Sequence, residues 1–455
     1  MKNKKLESCI LVLLGALLLG FLWRVRGTNG WGSSWGLLNA GFVFTLFLIF
    51  ATKRTKGPSL QLTALTALSF MLTVPAWGTF LDLCTGILTA TNRDGETVLY
   101  EISPLSGVAV MLLLGFGLAS VYGILLGRGF GGHAWRLRDY AAVLLVFIIV
   151  DLAAKATVSH LILKLIEPQA VTAFVDGLKS AGETSGAYGA YMSHFSAVSW
   201  AKQFTGGRNY FSSVGTISLV LAAIACLLTT RFYVRDKYAA KTGAVVCAAF
   251  AISITVSDLF FFFAKGGYRG MQGLTLPDGF AAWSLWEYFT GFIAGGIITA
   301  YILKTAKKEE TSETLLNHVP DKPKQAIRFL LAVIAGIGIN AVRPVLVRLE
   351  GVAAVLVPAA VGISVLTAAL LFSRKKGYAL YEADLSKVSP VLCLLFVIWI
   401  YAVYMFIGKP GRPVWPDAGS LHNILVTVSA AALTLACGTA IYKRCKTENS
   451  SVLPD

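Results

Sequence analysis

About twelve long apolar stretches run through this chain, and that pattern leaves few folds open to it. They lie near 8–23, 34–51, 62–82, 104–126, 140–163, 212–230, 242–264, 282–303, 327–346, 351–372, 388–408 and 419–442. Runs of about 20 residues, at about 1.5 Å rise each, match the ~30 Å hydrocarbon core of a bilayer. Charged residues make up only 14% of the chain, where soluble domains carry nearer ~25%. Mean hydropathy is +0.67, so a soluble fold would have too little polar surface to cover it. The stretches are continuously apolar rather than alternating, which excludes a closed β-barrel. The chain therefore reads as an all-α polytopic integral membrane protein with about twelve transmembrane helices.

Lys and Arg set its orientation. One set of alternate links carries Lys2, Lys4 and Lys5; Lys53, Arg54 and Lys56; Arg128, Arg136 and Arg138; Arg231, Arg235, Lys237 and Lys241. It continues through Lys304, Lys307, Lys308, Lys322, Lys324 and Arg328, then 374–387, and ends at Lys443, Arg444 and Lys446, well over half of the 40 basic residues. Both termini are expected inside, in a multi-pass protein of the cell (inner) membrane. The net charge of +16 follows from this bias, and basic residues scattered over so many links do not make a nucleic-acid surface. Membrane lipids are the expected surroundings. The basic start and apolar run of 1–23 resemble a signal peptide, but no A-x-A-like site follows, so 8–23 is expected to stay as the first span. The seven Cys have no CxxC spacing and read as small apolar residues; no metal site or cofactor is expected.

Residues 164–211 form the one long outer segment, with short amphipathic helices expected around 168–179 and 190–203. The polar link 305–326 is the largest inside. Arg26-Gly27-Thr28-Asn29-Gly30 and Arg269-Gly270-Met271-Gln272-Gly273 each follow an odd span and precede a Trp-bearing even span, six spans apart. That spacing suits two parallel six-helix halves, 1–237 and 238–455. Arg128-Gly129-Phe130-Gly131-Gly132 fits the same R-G-x-x-G pattern elsewhere, so duplication stays open. Twelve spans with both ends inside resemble the major facilitator architecture. The link Thr52–Pro58 has basic residues but lacks the Asp of that family's G-x-x-x-D-R/K-x-G-R/K motif, so the likeness is architectural only.

Charges left within spans cost about 2.5–3.5 kcal/mol each on insertion scales, so they tend to face cavities or partners. Asp151 and Lys155 form an i,i+4 pair with Ser159 on the same stripe. On an unbroken helix His160 would lie about 180° from Asp151, off that face. Asp258 follows the polar run Ser253, Thr255, Ser257. Glu287 shares a face with Gly291 and Gly295, whose G-x-x-x-G spacing admits a neighbouring backbone. Asp151, Lys155, Asp258 and Glu287 are the candidate ion-coupling residues; a self-neutralised structural pair is the ordinary reading of the first two. On the outer side Arg24, Arg26 and Arg269, with Trp31, Trp35 and Trp283, offer guanidinium forks and ring faces to an anionic or glycosylated solute. The ordinary reading is snorkelling arginines and an interfacial aromatic belt.

No P-loop, H-E-x-x-H or G-x-S-x-G occurs. His194 with Arg208 resembles the external-loop His/Arg sites of lipid-linked glycan ligases and polymerases, although Phe195 follows where those have a polar residue. Two functions stay open. The favoured one is a secondary transporter, with protons among its coupling ions, for an anionic or sugar-containing solute or lipid-linked intermediate. The alternative is a membrane-embedded envelope-assembly enzyme of transferase, ligase or polymerase type, acting on a lipid phosphate at the outer face with His194 as base.

Overall fold

In the computed structural model, the described residues are 2–28, 33–52, 83–194 (except 93, 132, 134 and 136), 200–271 (except 204) and 282–306, with isolated positions at 66–70 and 428–443. The spans expected at 62–82, 327–346, 351–372, 388–408 and, for the most part, 419–442 lie outside them, as does the link 305–326 beyond Ala306.

Helices α1 (Lys2–Thr28) and α2 (Ser33–Ala51) come first, and further along a β-hairpin, β1 (Ile87–Thr91) and β2 (Thr97–Glu101). Then come α3 (Pro104–Leu118), α4 (Ser120–Gly131), α5 (Leu137–Ala156), α6 (Val158–Ile166), α7 (Pro168–Ser180), α8 (Ala187–His194), the single turn α9 (Trp200–Gln203), α10 (Thr205–Leu228), α11 (Lys237–Ser257), α12 (Leu259–Ala264) and α13 (Ala282–Thr305). The described chain is thus mainly helical. Among these residues Lys5–Arg24, Asn209–Tyr233 and Lys237–Gly270 are long and apolar enough to cross a membrane. The pairs α3/α4, bent by 43°, and α5/α6, bent by 63°, make five if each pair is one span. The apolar helices are compatible with a membrane protein. Helix α13, at the span expected at 282–303, has 24 residues. It is not one of those three.

Packing groups the chain into two compact units, one drawn from Met1–Leu72, Leu125–His133 and Gly291–Asp455, the other from Thr73–Ile124 and Ala134–Thr290. This grouping interleaves the chain, whereas the repeat expected from the sequence divides it at 237/238.

Within the first unit α1 packs on α2. The Gly291 and Gly295 end of α13 meets the α1 backbone, as the G-x-x-x-G spacing implies. A Cβ at Gly295 would lie 2.6 Å from the Gly15 carbonyl oxygen, and one at Gly291 would strike Leu19 O.

In the second unit α10 is the central post: α3, α5, α6 and α7 all pack against it. Helix α3 also lies along α11, and glycines make that double contact possible. A Cβ at Gly115 would meet Ala251 Cα at 2.5 Å, and one at Gly117 would meet Leu219 Cβ at 2.9 Å. The segment 164–211 holds the first expected short helix as α7; for the second, expected over 190–203, the described residues have α8 at Ala187–His194 and the turn α9 at Trp200–Gln203. Phe174 and Leu178 of α7 and Ala190 and Tyr191 of α8 bury against Tyr210, Val214 and Ile217 of α10. The hairpin was not foreseen. Its turn is tied by Asn92, whose Oδ1 accepts from the backbone N–H of Asp94 (3.0 Å) and Glu96 (2.8 Å), and Gly95 there has φ +88°.

Candidate functional site

The richest polar arrangement lies where α5 breaks into α6. Thr157 has φ −139° and ψ −95°, far from helical values, so the carbonyls of the last α5 turn lose their usual N–H partners. Three side chains take over. Thr157 Oγ1 donates to Ala153 O at 2.6 Å, Tyr188 Oη of α8 donates to Ala156 O at 2.8 Å, and His160 Nε2 lies 2.7 Å from Lys155 O. In a medium without water an unpaired carbonyl is costly, so this substitution is what makes the break tenable.

The break also changes the expectation for His160. Periodicity puts it on the far side from Asp151, but a 63° bend interrupts that count, and the ring folds back onto the Lys155 carbonyl. A carbonyl oxygen only accepts, so Nε2 carries a hydrogen. In the neutral ring Nδ1 then has the lone pair and accepts from Tyr210 Oη at 2.7 Å. Tyr188 and Tyr191 stand edge-on to the imidazole at 4.9 and 4.5 Å between centroids. Nδ1 is the one ring position that can still take up a proton, with the Tyr210 hydroxyl turning from donor to acceptor.

Asp151 is buried at 9% exposure, and both its oxygens are engaged. Lys155 Nζ lies 2.5 Å from Oδ2, and Ser218 Oγ of α10 donates to Oδ1 at 2.6 Å. One helical turn of chain thus links a carboxylate, an ammonium and, through the Lys155 carbonyl, an imidazole.

Glu167, between α6 and α7, adds a second buried carboxyl that sequence reasoning missed. It is 2% exposed and accepts from Ser213 Oγ at 3.1 Å. Burial pushes its carboxyl up to about 7, with the Ser213 hydrogen bond pulling weakly the other way. Tyr210, Ser213 and Ser218 therefore receive His160, Glu167 and Asp151 at successive levels of α10.

The other candidates have other neighbours. Trp283 Nε1 donates to Glu287 Oε1 at 2.8 Å, so one expected binding residue and one expected coupling residue meet on α13, with Glu287 fully buried. Asp258, 1% exposed at the junction of α11 and α12, lies beside the Cys84 thiol. Burial first, and the Asp258 charge second, push that thiol above its ordinary range. Arg269 is drawn to Glu101 of β2, Nη2 to Oε2 at 2.8 Å, and its guanidinium stacks on Tyr268 at 5.1 Å. In α1, Arg26 is 3% exposed with its guanidinium 4.7 Å over the Trp23 ring, while Arg24 is half-buried. Trp31 lies outside the described residues, and so do the side chains of Trp35 and Arg208. His194 closes α8 near Glu183.

Asp151 and Lys155 are thus brought together, as are Trp283 and Glu287. Asp258 goes with Cys84 and Arg269 with Glu101. Among the described residues no group of three or more His, Cys, Asp and Glu is placed to hold a metal ion. No family model, curated protein or solved structure matches this chain.

Proposed function

We propose that this protein is a multi-pass membrane transporter of the secondary, proton-coupled type, moving an anionic or sugar-containing solute. The observation that carries the reading is the α5/α6 break beside a buried Asp151–Lys155 pair. Discontinuous membrane helices are where transporters place their coupling sites, because unwound backbone there lines a cavity instead of lipid. In this reading Asp151 is the coupling acid. Protonating it removes the charge that holds Lys155, and the released ammonium strains a segment already fastened by side chains rather than by helical hydrogen bonds. His160, able to take a proton at Nδ1, tunes the pH at which this happens. Glu287 and Asp258, each with its own neighbour, are assigned to holding α13 and the α11/α12 junction rather than to one shared ion site.

The test is uptake of labelled hexoses and hexose phosphates by proteoliposomes under an imposed pH gradient. Wild type should accumulate solute only with the gradient present. Asp151→Asn should abolish the gradient dependence at unchanged protein incorporation, and His160→Gln should shift the pH of half-maximal uptake. Gradient-driven uptake of equal size in Asp151→Asn and wild type would remove Asp151 from the coupling role.

A further inference from the structure

Helix α10 carries a second polar face that the break does not use. Asn209, Ser212 and Thr216 recur at i, i+3 and i+7, and at 3.6 residues per turn they share an arc of roughly 60°. Leu219 and Val220 bracket that arc, and both meet Gly117 of α3. Tyr210 and Ser218, which serve His160 and Asp151, lie roughly a quarter turn or more away. The three side chains are 2%, 2% and 1% exposed. Among the described residues Asn209 Nδ2 and Oδ1, Ser212 Oγ and Thr216 Oγ1 have no hydrogen-bond partner. Buried polar groups in native proteins are paired with protein, water or ligand almost without exception, so four such atoms in a row point to an occupant.

We infer that this stripe of α10 binds an uncharged, hydroxyl-bearing ligand, of the polyol or sugar class. Three features select the class. The stripe presents donors and acceptors together, the amide supplying both and each hydroxyl either, which suits groups that also do both. It contains no charged side chain, so a buried ion there would have no counter-charge from it. Its length is about 10 Å at 1.5 Å rise per residue, too long for one cation, whose oxygen ligands sit within about 2.6 Å of it. A row of hydroxyls, each about 2.8 Å from its partner, spans that length. The inference rests on the transport reading only in calling this ligand the solute.

The test is thermal melting of the full chain in detergent with added glucose or sucrose, beside inorganic phosphate and sodium chloride as charged probes. Wild type should show a saturable upward shift with a sugar and none with the charged probes. Ser212→Ala/Thr216→Val should lose that shift, while Ser212→Thr, which keeps the hydroxyl, should retain it. A shift in wild type with phosphate or sodium alone would overturn the ligand class. No saturable sugar shift in wild type, or a double variant that melts higher than wild type, would overturn the site and make the stripe a dry packing fault. Because melting reads binding and not coupling, a failure here leaves the Asp151 test standing, and the reverse.

Discussion

Glu167 and His160 both owe their chemistry to where the backbone stops being helical. Glu167 caps one helix and precedes Pro168, which opens the next, so its side chain is carried inward at a corner instead of outward into solvent. Its carboxyl, ordinarily near 4.5, sits at about 7 because burial penalises the charged form. The folded protein therefore binds more protons than the unfolded chain between those values, and stability falls as pH rises. The contribution is fully present below about 4.5 and gone above about 7, worth on the order of 3 kcal/mol in all. Melting temperature followed against pH should decline through this window in wild type, and Glu167→Gln should flatten it. A wild-type profile already flat there would mean the carboxyl is not held neutral. Sequence reasoning found Asp151 and Lys155 because an i,i+4 pair in an apolar run is visible in one dimension. It missed His160 because periodicity presumes a continuous helix, and it missed Glu167 because a Glu before a Pro in a link looks solvated.

The helical elements divide in the same way between what spacing encodes and what tertiary contact decides. The hairpin was legible: Asp94-Gly95 stands between Ile87–Thr91 and Thr97–Glu101, two β-prone runs. Reading the stretch only as a short link concealed it. The α5/α6 break was not legible, since Lys155-Ala156-Thr157-Val158-Ser159 contains neither Gly nor Pro, and the break depends on Tyr188 arriving from α8 and on His160 folding back to cap its carbonyls. Glycines on α3 are a middle case, visible as Gly115 and Gly117 but with partners known only from the fold. Gly115 faces backbone of α11, which has no room to yield, whereas nothing lies within 4 Å of a Cβ at Gly215 on α10. Gly115→Val should thus cost about 1–3 kcal/mol by forcing α3 and α11 apart. Gly215→Ala should gain about 0.5–1 kcal/mol by lowering the entropy of the unfolded chain. Comparing the two variants by chemical denaturation separates a packing glycine from a merely permissive one, and similar effects of both would refute the distinction.

The alternation of the links, expected from Lys and Arg alone, is compatible with which links touch among the described residues. Within the second unit, the link after the fourth expected span and the link after the sixth are fastened together: Trp135 Nε1 donates to Asp236 Oδ2 at 2.9 Å. Asp236 also caps α11 by accepting from the Ala239 N–H, which fixes that end of the helix. The links after the third, fifth and seventh spans form another group. Tyr100 Oη donates to Asp176 Oδ2 at 3.2 Å, and Arg269 pairs with Glu101. Even links meet even links, and odd meet odd. A chain crossing a bilayer at each apolar stretch must sort its links in this way, as must any bundle of successive antiparallel helices. The excess of basic residues on even links is a property of the whole chain; these links carry Lys and Arg on both sides, Arg138, Arg231, Arg235 and Lys237 in the even group and Lys164, Lys179, Lys265 and Arg269 in the odd. Single cysteines placed on exposed link residues test the arrangement, with labelling assigned peptide by peptide against the native cysteines. Asp94→Cys and Thr184→Cys should react with a membrane-impermeant maleimide in intact cells, and His133→Cys and Lys237→Cys only after permeabilisation. Labelling of all four from the same side would break the sorting and with it the alternating spans, and the Asp151 site would then have no two aqueous faces to serve.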